Sequence, residues 1–115
     1  MSFADLLEGR VPPGLLSAAD FPDLATLTPR ADEIQQGLTD YVGHLSSQDL
    51  AGPFEYRDLK GRAHSNLRWQ ALQHLANHGT YHRGQIATML RQLHLKPVST
   101  DLIAFYRERA AAAAQ

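Results

Sequence analysis

His78 and His82 are the residues in this sequence best placed to do chemistry. They stand four positions apart. On a helix that spacing puts both side chains on one face, with their Cβ atoms about 5–6 Å apart. Two imidazoles so placed can share one tetrahedral divalent ion, the logic of histidine pairs in helical metalloprotease motifs. They fall inside an apolar stripe, between Leu75 and Ile86. A buried imidazole without a partner is costly, so a polar group or an ion should meet it. The alternative is a pair of core-edge histidines bonded to backbone or carboxylate groups, and spacing alone leaves both readings open.

The other histidines carry less. His74 extends the row, but about 12 Å of helix rise separates it from His82, too far for one ion to take all three from a straight helix. It reads as a lining group. His44, His64 and His94 fall near helix ends or in a hairpin and read as surface residues, His94 with a favourable dipole position. Gln85 could orient a ligand and Arg83 could pair with a carboxylate, or both could be solvated. Gly84 inside the helix costs about 1 kcal/mol relative to Ala. Close approach of another helix would explain it, and so would simple tolerance. Trp69 reads as a packing anchor. No phosphate-binding glycine loop and no Gly-x-Ser-x-Gly nucleophile motif is present.

The element that must position the pair is a long helix over Leu67 to Leu93, where Leu67, Ala71, Leu75, His78, His82, Ile86, Met89 and Leu93 keep helical spacing until Lys96-Pro97. Before it, Phe54–Arg57 and Arg62–Asn66 can pair as a small hairpin around Asp58-Leu59-Lys60-Gly61, with Gly61 free to take positive φ. An earlier helix runs from Pro29 to Leu45 with Thr28 as cap and Ile34, Leu38, Tyr41, Val42 and Leu45 as its stripe, or begins at Asp23 with Pro29 inside it. A last helix follows Ser99 or Thr100, with Leu102, Ile103, Phe105 and Tyr106 apolar and an alanine tail with little to bury. Ser2–Glu8 reads as a short amphipathic stub ending at Gly9, followed by an irregular Val11-Pro12-Pro13-Gly14.

Composition bounds the rest. The chain has 115 residues, 43% of them hydrophobic, which suits one domain over 1–115 with a core of its own. There is no cysteine, so disulfides, thiolate metal sites and cysteine nucleophiles are excluded together. Eleven basic and twelve acidic residues leave a net charge of −1, without the basic surface that nucleic-acid binding rests on. No apolar run approaches the roughly 20 residues of a membrane span, and the start lacks the pattern of a signal peptide. The expectation is a cytoplasmic protein that binds neither nucleic acid nor membrane.

The string His78-Gly79-Thr80-Tyr81-His82-Arg83-Gly84-Gln85 resembles the DinB/YfiT-like metalloenzyme superfamily, whose motif is His-x-x-x-His-Arg-Gly-Gln. The resemblance covers most of the chain. Ala19–Pro22 looks like the lead-in to that family's third helix, Phe54–Gly61 like its hairpin and Asp101–Phe105 like its last helix. The resemblance implies an all-α, antiparallel four-helix bundle, usually a homodimer, that binds zinc or nickel through three histidines. Two of them match His78 and His82. Some relatives are thiol S-transferases and others resemble metal-dependent hydrolases, which implies a small-molecule thiol or an electrophile as substrate. Asn77 or Gln85 would support the ligands. The chain departs from the pattern in three places. Counted back from Gly9, the third histidine falls before Met1, so the first helix, most of the second and the third ligand are expected to be missing. Tyr81 stands where many relatives have a further histidine, and Pro29 where they run a continuous helix. A non-catalytic dimeric helical scaffold that keeps the histidine face is the competing expectation.

Overall fold

The computed structural model describes residues 16–115; the stub at Ser2–Glu8 and the irregular Val11–Gly14 lie outside them. Helix accounts for 66% of the described residues and the only sheet among them has two strands, so the class is mainly helical. The chain divides into two compact units, Met1–Ala71 and Leu72–Gln115. Among the described residues of each unit no two helices pack closely, and no described residue is fully buried.

The first unit opens with a 3-10 turn, Ala18–Asp20, closed by a reciprocal box in which Ser17 Oγ accepts from Ala19 N–H and Asp20 accepts from Ser17 N–H. Helix α1 then runs Leu24–His44. Asp23 caps it, its carboxylate accepting the Thr26 N–H at 2.9 Å. The helix therefore starts five residues before Pro29 and carries that proline inside it, the second of the two starts the sequence allowed. Ile34, Leu38, Tyr41 and Leu45 form its half-buried side, while Val42 is exposed. A short helix α2, Ser47–Ala51, has no periodicity to announce it; a Ser46–Asp49 capping box creates it.

Strands β1 (Pro53–Arg57) and β2 (Ala63–Leu67) pair antiparallel, with Tyr56 opposite His64. Each lies within a residue of its expected bounds. Gly61 has φ of 78°, as the tight turn demands. Asp58 organises that turn. Its carboxylate accepts from the Lys60 and Arg62 backbone N–H groups, from Arg62 Nε at 2.7 Å and from His64 Nε2 at 3.1 Å. These donors, His64 first among them, hold its carboxyl down at about 2. Phe54, Tyr56 and His64 stack in a row on one face of the hairpin.

β2 passes into helix α3, Arg68–Gln92, without a loop. The junction is held by Leu67 N–H donating to Gln70 Oε1 (3.0 Å), Arg68 N–H to Gly52 O (2.9 Å) and Arg68 Nη1 to Asp49 O (2.9 Å). Trp69, expected as an anchor, stays largely exposed beside it. The second unit holds the remainder of α3, a connection, and helix α4, Leu102–Ala113, whose N-cap position is Asp101, without a side-chain cap bond, rather than Ser99 or Thr100. α3 closes with a Schellman motif: Leu95 N–H reaches Leu90 O and His94 N–H reaches Arg91 O, both at 2.9 Å. His94 sits at the left-handed position of that motif, φ 57°.

Candidate metal site

The pair rests on an unbroken helix. From Leu72 to Leu90 no proline or bulge disturbs α3, so positions four apart lie on one face. His78 and His82 turn toward each other, with their Nε2 atoms 3.0 Å apart and their rings edge to face at 4.5 Å. His74 stacks on His78 at 5.4 Å without joining its nitrogen atoms to the pair.

Gln85 selects between the two tautomers of a neutral His82 ring. Its amide nitrogen donates to the Tyr81 hydroxyl at 3.3 Å, which leaves its carbonyl oxygen 2.7 Å from His82 Nδ1. A carbonyl can only accept, so Nδ1 carries the hydrogen and Nε2 of the neutral ring carries the lone pair. His78 Nε2–H donates into that lone pair. Among the described residues no hydrogen bond engages His78 Nδ1, and with its hydrogen there the ring would present a second Nε2 lone pair. With Zn–N bonds of roughly 2.0–2.1 Å, two nitrogens of one tetrahedral ion sit about 3.3 Å apart. The observed separation is within a few tenths of an ångström of that, so the pair fits a metal without rebuilding the backbone. Among the described residues no group of three His, Cys, Asp or Glu side chains gathers to hold an ion.

Burial differs from the sequence expectation. Both imidazoles are exposed, and so is the apolar stripe around them: Leu75 is 41% accessible, Ile86 and Met89 53% each, Leu93 69%. The half-buried residues along the middle of α3 are instead Leu72, Gly79, Ala87 and Leu90. The helix carries two apolar stripes, and periodicity could not say which one this chain covers.

The neighbouring residues sort by the face they occupy. Arg83 pairs with no carboxylate among the described residues; its Nη2 donates to Thr80 Oγ1 at 3.0 Å, and its guanidinium lies back over Gly79, where an added Cβ would stand 2.9 Å from Nη1. Asn77 lines a cleft of about 870 Å³ with Thr80, Arg83, Asp101 and Phe105, away from the histidine pair. Among the described residues nothing approaches Gly84 within 4 Å of where its Cβ would be, so no close approach by a described helix explains it. His44 Nδ1 donates to Asp40 O, and His64 belongs to the Asp58 turn. The role of His94 as a helix terminator went unread; histidine is among the few non-glycine residues enriched at positive φ.

The family model of the DinB family matches residues 18–112. The chain belongs to the DinB family. Searches of curated proteins and of solved structures find no match. No described helix is long and apolar enough to cross a membrane.

Proposed function

We propose that the chain is a divalent-metal-binding protein of the DinB family whose own ligands are His78 and His82. The observation that carries this is the convergence of the two Nε2 atoms to 3.0 Å, with Gln85 holding one ring in the ligating tautomer. Zinc or nickel suits paired imidazoles. The ion would act as a Lewis acid toward a bound water or thiol, and the chain's own part is to hold its two rings and fix the proton on His82. A thiol S-transferase or hydrolase activity needs three protein ligands and an open position. The third ligand must then come from outside the described residues.

The four-helix bundle belongs to the same proposal. An exposed stripe of Leu75, Ile86, Met89 and Leu93 on a long helix is a surface that water disfavours, and a homodimer is the simplest cover. That exposed stripe also favours a second reading, a dimeric helical scaffold that keeps the histidine face without catalysis. Metal analysis of the purified chain beside a His78→Ala, His82→Ala variant separates the two. Bound zinc or nickel in the parent and none in the variant is expected; equal content in both would leave only the scaffold.

A further inference from the structure

We propose that the cleft between α3 and α4 binds a small amino-acid-type zwitterion, its carboxylate on Arg83 and its ammonium on Glu108. The cleft lies wholly within the second unit and its lining includes neither His78 nor His82, so the inference stands apart from the metal-binding reading. Its volume, about 870 Å³, is that of a small-molecule site. One wall is α3, where Asn77, Thr80 and Arg83 follow one another three residues apart. The other is α4 and its start, where Asp101, Phe105 and Glu108 follow at steps of four and three.

Charge selects the ligand. The Arg83 guanidinium folds back along α3 and makes one bond, to Thr80 Oγ1 at 3.0 Å. Gly79 makes room for it there, since a Cβ on that residue would stand 2.9 Å from Nη1. On the facing wall Glu108 makes no hydrogen bond or ion pair among the described residues. Asp101 is engaged by Ser99 Oγ at 3.4 Å. A cation and an anion thus line one cleft without meeting, and a molecule carrying both signs is complementary to the two together. The guanidinium fork matches a carboxylate in two parallel bonds. The Glu108 carboxylate accepts from an ammonium, which has donors only. Between them Asn77 and Thr80 offer neutral donors and acceptors, and Phe105, 48% accessible, offers apolar surface to methylene groups. A simple anion or a simple cation would leave one of the two charges unmet.

Amide-resolved NMR of the full chain, titrated with glycine, β-alanine, γ-aminobutyrate and ε-aminocaproate in the absence of added metal, tests the inference. This series varies the distance between the two charges. At least one member should move resonances on both walls, at Asn77, Thr80 and Arg83 and at Phe105 and Glu108. A Kd on the order of 1 mM is expected for so small a ligand in an open cleft. The methyl ester and the N-acetyl form of that member should each bind about tenfold more weakly or worse. Arg83→Gln should cancel the penalty of the ester alone, and Glu108→Gln that of the acetyl group alone. Both are exposed positions, and circular dichroism checks that helicity is kept. No shift with any member, shifts on one wall only, or equal binding of the blocked and free forms would overturn the site. None of these outcomes bears on whether His78 and His82 hold a metal.

Discussion

The proton on His82 is decided by one amide. Because Gln85 Nε2 is engaged by Tyr81, its oxygen is the atom left to accept from His82 Nδ1. Gln85→Ala frees His82 to put its hydrogen on either nitrogen. Metal affinity should fall by about 10–100-fold while the helix content holds; unchanged affinity in a zinc titration would mean the amide orients nothing that matters. Asp58 acts on the hairpin in the same local way. Its carboxyl titrates at about 2, below its ordinary 3.8, because the folded turn donates to the charged form. A depressed carboxylate contributes stability that is whole above pH 3.8 and is lost as pH falls toward 2. The Asp58 carboxyl resonance, followed by NMR, should therefore titrate below its free value, and the hairpin should loosen over that window. In Asp58→Asn that acid step should vanish.

Elements show where local chemistry decides more than periodicity does. Pro29 lies inside α1, where it has no N–H for Ala25 O and its ring crowds that carbonyl. The helix persists because Asp23 and Thr26 cap it one turn earlier. Pro29→Ala should raise stability by about 1–3 kcal/mol, read from a thermal or urea melt. At the other end of the long helix, His94 pays for a left-handed backbone that glycine would adopt freely. His94→Gly should gain about 1 kcal/mol by the same measurement, and a loss would show that the imidazole itself anchors the turn. The long helix, the hairpin and its Gly61 turn were legible because each announces itself within a few residues. Helix α2 was not: five residues are too short for a period, and its Ser46–Asp49 box is a polar signal.

At the scale of the molecule the histidine stripe is an exposed apolar face of α3. If it is an interface, Ile86→Asp should weaken self-association in sedimentation experiments while leaving the helical signal of the separated chains intact. Association equal to that of the parent would place the contact elsewhere.

The sequence by itself determined the helical class, the hairpin, the family motif and the spacing that sets two imidazoles on one face. All of these follow from short-range backbone geometry and from side-chain periods of two and 3.6. Only the three-dimensional structure decided that the rings converge to 3.0 Å, that Gln85 bonds His82 while Asn77 lines a separate cleft, and that the stripe they occupy is exposed. The reason is physical. A period reports that a face is apolar, but what lies against it depends on how distant parts of the chain fold back, and α3 carries two apolar faces for one to be covered.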